Sequence, residues 1–111
     1  IRAYGAGLGG VLTPTGLGTV IQEGKQIVNV DGKDYILEKP LKADIAFLRA
    51  NIVDEDGNMV FLGTSQNFNP LMAMAADYVV VEAEKLVKNG EIAPEQIHAS
   101  GIFVDGIYLE K

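Results

Sequence analysis

Asp44-Ile45-Ala46-Phe47-Leu48-Arg49-Ala50-Asn51-Ile52-Val53 begins almost wholly apolar and reads as a strand of a sheet covered on both faces. The oxygen-rich turn Asp54-Glu55-Asp56-Gly57-Asn58 follows, and Met59-Val60-Phe61-Leu62 reads as a second strand. Beyond Gly63-Thr64-Ser65-Gln66, the stretch Asn67-Phe68-Asn69-Pro70-Leu71-Met72-Ala73-Met74-Ala75-Ala76 changes character. Asn69 suits an N-cap and Pro70 the first helical position. The residues after them are strong helix formers, apolar nearly all round, so a short buried helix is expected. Tyr78-Val79-Val80-Val81-Glu82-Ala83-Glu84 then returns to strand character.

Working outward, Asn89-Gly90 turns the chain, Ala93-Pro94-Glu95-Gln96-Ile97 suggests one helical turn, and Ile102–Leu109 gives a last strand or a pair of short ones. Upstream, Gln26–Val30 and Tyr35-Ile36-Leu37 flank Asp31-Gly32, a strong hairpin signal, and Pro40 closes the second of these strands. Val11-Leu12-Thr13 reads as a short strand among six glycines between Gly5 and Gly18. Ile1-Arg2-Ala3-Tyr4 reads as the end of a helix stopped by Gly5, so residues preceding Ile1 are expected. The pattern is α/β, with about six strands and two or three short helices, and no internal repeat or linker.

At 111 residues the chain fits one small domain or a piece of a larger one. It is 48% hydrophobic, which is enough for a core and too much for a disordered chain. The formal net charge of -6 repels phosphate backbones and argues against a nucleic-acid partner. The absence of cysteine excludes disulfides and thiol nucleophiles and fits a cytoplasmic protein. No apolar run is long enough to span a bilayer, so no membrane partner is expected.

Motifs that could carry chemistry are few. Gly5-Ala6-Gly7-Leu8-Gly9-Gly10 is glycine-dense, yet it follows a helix, whereas a dinucleotide fingerprint opens one, and it has no P-loop lysine. It reads as a helix-ending turn or as a loop lining a site. His98 is the single histidine and cannot by itself build a histidine metal site. Asp54–Asn58 lacks the closing glutamate of a calcium loop and reads as a solvated turn. Glu82 and Glu84 share a strand face and suit either acid–base work or ion pairing, for example with Lys85. Asn67 has no capping role, and an amide there could meet a carboxylate or a thioester oxygen.

Taken together, several strings resemble the alpha subunit of family I coenzyme A transferases, of the 3-oxoacid or butyrate–acetoacetate type. Ile1–Gly7 with Leu12–Thr19 is similar to the IRAGGAG…TPTGxGT segment, and Tyr35–Glu38 with Lys42–Ala46 to YVLE…KADVAL. Asp56-Gly57-Asn58 stands where the family has AGN. Asn67–Ala76 reproduces NFNPLMAMAA, the most specific of these strings. Glu82-Ala83-Glu84, then Pro94–His98 with Gly101-Ile102, resemble VEVEE and PEQIHTPGI. The resemblance runs in order along the whole chain, and Leu8–Thr13 looks most like the clostridial butyrate–acetoacetate branch.

The resemblance implies the open mixed-sheet fold of the NagB/RpiA/CoA transferase-like group, with residues 1–111 forming the C-terminal half of an alpha subunit. It implies CoA transfer between a short-chain acyl-CoA, such as acetyl-CoA or butyryl-CoA, and a 3-oxoacid such as acetoacetate. The covalent step belongs to a glutamate of a partner beta subunit, which forms a glutamyl-CoA thioester. The beta-subunit Ser-Glu-Asn-Gly motif is absent here, as are the alpha subunit's N-terminal glycine-rich signature and its Pro-Gln-Gly-Thr string. No catalytic residue is therefore expected in this chain, which alone should be inactive. No metal or resident cofactor is expected, since coenzyme A is a substrate. The expected partners are the beta subunit and the N-terminal half of the alpha subunit. The substrate-contacting candidates are Gly7, Gly9, Gly10 and Asn67. The alternatives are the alpha subunit of a carrier-linked relative, of the citrate lyase or malonate decarboxylase type, and a non-catalytic interaction module on the same fold.

Overall fold

The computed structural model describes residues 1–111 and contains two sheets. A three-stranded antiparallel ribbon has the order β1 (Val11–Thr13), β3 (Lys33–Glu38), β2 (Ile27–Val30). The β2–β3 turn forms where Asp31-Gly32 requires it: both residues sit at positive φ, 52° and 80°, as a type I′ hairpin demands. Asn29 fastens the turn, its Oδ1 accepting from the Gly32 N–H at 3.0 Å.

The second sheet has the order β5 (Met59–Val60), β4 (Ala43–Asp54), β6 (Ala76–Val87), β7 (Gly106–Leu109). Strands β4, β6 and β7 run parallel, while β5 is antiparallel to β4, so the sheet is mixed and open. Parallel neighbours need a crossover, and the one from β4 to β6 carries β5, a 3₁₀ turn (Gly63–Gln66) and α2 (Asn69–Ala73). The crossover to β7 is two 3₁₀ turns, Pro94–Gln96 and Gly101–Phe103. A four-residue helix, α1 (Arg2–Gly5), opens the chain.

One face of the parallel sheet holds the core. Ala46, Leu48 and Ala50 from β4 and Val79, Val81 and Ala83 from β6 pack with Ala73 of α2. Small side chains let the helix lie close to the sheet, and Phe61 and Met59, both wholly buried, fill the remaining volume. Burying a side chain the size of Phe61 contributes about 2–3 kcal/mol.

The structure corrects several expectations. Strand β4 is not covered on both faces: its burial alternates, with Phe47 74% and Ile45 52% exposed. Ala46, Leu48 and Ala50 at every second position supply the buried face, and Ile45 and Phe47 on the other face make the apolar run look continuous. Gly5 lies within α1, and the chain leaves the helix through Ala6 and Gly7, at φ +73°. Gly5 serves close approach instead, since a Cβ there would stand 2.7 Å from the Met74 Cβ of α2. Only Met59 and Val60 of the strand after the acidic turn join the ladder, and β7 begins at Gly106. Helix α2 is only partly buried, with Ala73 alone of its residues in the core.

Candidate functional site

The acidic turn is structural. Asp54 is buried at 4% exposure, and its Oδ1 accepts from the N–H groups of Asp56 at 3.0 Å and Asn58 at 2.9 Å. Its Oδ2 accepts from the Asn58 amide at 2.9 Å. The carboxylate is thus committed to closing the turn. His98 is likewise engaged: Nδ1 accepts the Phe61 N–H at 2.9 Å, and the ring stacks on Phe61 with centroids 6.5 Å apart.

Asn69 is the first residue of α2 and its side chain does not cap the helix. The backbone leaves Phe68 in the N-cap position, and the amide is spent across the crossover. Its Oδ1 accepts the Arg49 N–H at 3.1 Å, and its Nδ2 donates to the Ser65 carbonyl at 2.9 Å. Asn51 has a similar bridging role. Its Oδ1 accepts from the Leu62 N–H at 2.7 Å and the Ser65 hydroxyl at 3.2 Å, and its Nδ2 donates to Glu84 at 2.9 Å.

The sheet face opposite the core carries a polar row across the middle of β4 and β6. Arg49 of β4 lies beside Glu82 of β6, which lies beside Tyr108 of β7. A hollow of about 550 Å³ is lined by Phe47, Arg49, Asn69, Val80, Glu82 and Tyr108 together with Leu48. The Arg49 guanidinium donates to Glu110 at 2.8 Å. That bond, then the charge of Glu110, outweighs desolvation and, with the charges of Glu82 and Glu84, holds Arg49 above its ordinary range. Glu84 therefore meets Asn51, not Lys85. With Glu84 and Glu110 both engaged, neither stands as a free nucleophile. The arrangement can orient a polar group against this face of the sheet. At the start of β4, the Lys42 ammonium donates to Asp77 at 2.9 Å, and that bond, then the charge of Asp77, holds Lys42 above its usual range.

Of the sequence candidates, Gly7 and Gly9 face open space: no heavy atom lies within 4 Å of where a Cβ would stand. Gly10 packs against β3, and a Cβ there would meet the Glu38 carbonyl at 2.7 Å. Asn67 follows the 3₁₀ turn, is exposed, and uses its N–H on the Thr64 carbonyl at 3.1 Å. Its side-chain amide makes no hydrogen bond within the chain. The glycines belong to the ribbon end and Asn67 to the crossover, and no hydrogen bond joins them; α1 packing on α2 links the two regions. Sequence reasoning missed Arg49, Asn51, Tyr108 and Glu110. The available signal was the pairing of Arg49 and Asn51, two apart in one strand, with Glu82 and Glu84, two apart in another.

The coenzyme A transferase family model matches residues 1–110. The chain belongs to the coenzyme A transferase family. This transferase chain is 50% identical over 111 residues to the acetate CoA-transferase subunit alpha of Escherichia coli, covering all of this chain and 50% of that one. It is 51% identical over 110 residues to the acetoacetyl-CoA:acetate/butyrate CoA transferase alpha subunit of Clostridium acetobutylicum, covering 99% of this chain and 50% of the relative. The chain thus spans about half the length of the curated relatives it matches. Among solved structures, the acyl-CoA transferase YdiF of Escherichia coli, in a thioester complex with CoA, superposes with TM-score 0.85 at 25% identity. That match covers 98% of this chain and 25% of YdiF. Glutaconate coenzyme A-transferase from Acidaminococcus fermentans shares the fold, with TM-score 0.85 at 18% identity over 97% of this chain and 41% of its own. The expected open mixed-sheet transferase fold is therefore borne out. No helix is long and apolar enough to cross a membrane.

Proposed function

We propose that this chain is the C-terminal half of the alpha subunit of a cytoplasmic transferase that moves CoA between a short-chain acyl-CoA and a 3-oxoacid such as acetoacetate. One observation carries the reading: half of all positions, along the full chain, are identical to alpha subunits named for acetate and for acetoacetyl-CoA:acetate/butyrate transfer. The partners are a beta subunit and the other half of the alpha subunit, and CoA enters as substrate with no metal or resident cofactor.

The chemistry is the one the family resemblance implies. A glutamate carboxylate on the beta subunit attacks the acyl-CoA carbonyl and expels the CoA thiolate, forming an acyl-glutamyl anhydride. The thiolate attacks the glutamyl carbonyl, releasing the carboxylic acid and leaving a glutamyl-CoA thioester. The incoming acid reverses the two steps, splitting one hard exchange into easier ones. This chain's part is to shape the cleft. Gly7 and Gly9 leave room for a backbone or substrate to approach, and the Asn67 amide is free to donate.

The test is CoA transfer from acetyl-CoA or butyryl-CoA to acetoacetate, with the relative-length alpha subunit co-expressed with its beta subunit. Transfer that is lost after borohydride reduction of the acyl-CoA-treated enzyme is the expected result. A well-assembled complex that transfers CoA to no short-chain acid overturns the reading.

A further inference from the structure

The loop from Leu62 to Asn69 is exposed over most of its length, yet it is tied down at both ends and in the middle. Side-chain amides make most of the ties. Asn51 Oδ1 accepts the Leu62 N–H at 2.7 Å, Gln66 Nε2 donates to the Phe61 carbonyl at 2.9 Å, and Asn69 Nδ2 donates to the Ser65 carbonyl at 2.9 Å. The Ser65 hydroxyl shares its one proton between the Leu62 carbonyl at 2.6 Å and Asn51 Oδ1 at 3.2 Å. The Asn67 N–H closes on the Thr64 carbonyl, and the Met72 N–H on the Phe68 carbonyl. The groups this frame holds outward are uncommitted: the Asn67 side-chain amide, and Phe68, which is 55% exposed. Ordering so exposed a stretch costs about 1–2 kcal/mol of backbone entropy per residue, and little of it is returned by burial. Loops held in this way by a rigid scaffold are where binding groups are placed.

One tie depends on orientation. An amide side chain has an accepting end and a donating end. Flipped, Asn51 would turn Nδ2 toward the Leu62 N–H, donor against donor. Glu84 prevents this from the neighbouring strand: its Oε2 accepts from Asn51 Nδ2 at 2.9 Å, and a carboxylate only accepts. The relay runs from Glu84 through Asn51 to Leu62, where the loop begins.

We propose that Asn51, oriented by Glu84, is a positioning residue for the transfer reaction. It holds the Leu62–Asn69 loop in the geometry that aims the Asn67 amide at the carbonyl oxygen of the acyl group under attack, where an N–H donor stabilises developing negative charge. The proposal rests on the transferase reading above, with Asn67 in the cleft.

The test uses an alpha subunit of the relatives' length, co-expressed with its beta subunit, and measures kcat and KM for CoA transfer from acetyl-CoA to acetoacetate. Asn51→Asp keeps an acceptor for the Leu62 N–H but sets a second carboxylate against Glu84. It should lower kcat about 10- to 100-fold and leave KM for acetyl-CoA within about twofold. Adding Glu84→Gln supplies a donor to the new carboxylate and should return kcat to within about threefold of the parent. In an Asn67→Ala background, Asn51→Asp should change kcat by less than about twofold, because it acts through Asn67. If Asn51→Asp prevents assembly, Glu84→Ala is read instead. Glu84 is exposed and makes no bond to the loop itself. Its loss should lower kcat about three- to tenfold, and only while Asn67 is present. Losses at positions 51 and 67 that multiply independently overturn the proposal, as does an unchanged kcat in a folded variant. Failure of Glu84→Gln to rescue Asn51→Asp overturns it too, since a lost structural bond alone would then account for the defect. A parent complex that transfers no CoA is a separate failure: it removes the transferase reading, and this proposal with it, before any variant is compared.

Discussion

Asn67 and Asn69 are two positions apart and have opposite roles. Asn69 spends both amide atoms within the chain, and its loss leaves the Arg49 N–H and the Ser65 carbonyl without those partners. Asn69→Ala should cost about 1–3 kcal/mol, read from the urea midpoint. Asn67→Ala should leave stability within about 0.5 kcal/mol. In the assembled enzyme it should lower turnover, and unchanged kinetics with unchanged assembly would remove Asn67 from the site. The residue types alone showed that two amides flank Phe68. They picked out Asn67 as the uncommitted amide on the ground that Asn69 caps the helix, whereas Asn69 is engaged through an acceptor bond to a residue twenty positions away. The same holds for Asp54, whose turn was legible from Asp-Gly-Asn spacing while its burial was not. Asp54→Ala removes the acceptor for two backbone N–H groups and one side-chain amide, and a loss of about 2–4 kcal/mol in chemical denaturation is expected.

At the scale of elements, the β2–β3 hairpin was the most legible feature, since an Asp-Gly pair between alternating runs admits few other conformations. Strand β4 was recognised as a strand and misread in its surroundings. Ala46, Leu48 and Ala50 face the core, and Ile45 and Phe47 face the open side, so hydrophobicity alone gave no difference between the faces. Helix α2 was located by Pro70, Leu71, Met72 and Ala73, but it starts one residue earlier than the capping pattern implied and stops at Ala73, short of the expected Ala76, because the chain enters β6 there. The join between the 101–103 turn and the acidic turn was not legible at all. A Cβ on Gly101 would stand 2.0 Å from the Asp56 carbonyl oxygen. Gly101→Ala should therefore separate two turns that pack backbone to backbone. A loss of about 3 kcal/mol or more is expected, with a lowered melting temperature of the full subunit.

For the whole molecule, the family and its fold were legible because ordered strings matched along the entire length, which no single motif could have supplied. The proposed cleft was not legible, because Gly7, Gly9 and Asn67 are exposed and share no hydrogen bond that would mark a site. The principal extents, 54 × 26 × 23 Å, describe a body with an arm. The arm is the three-stranded ribbon, and from Tyr4 to Ile45 a single residue, Ile36, is buried. So little interior gives the ribbon little cooperativity of its own. Gentle warming should therefore open the chain in two stages. Trypsin should cut first after Lys25, Lys33 or Lys42, leaving a resistant fragment that begins at Ala43. Cleavage at Lys85 or Lys88 at an equal rate would show that arm and body melt together.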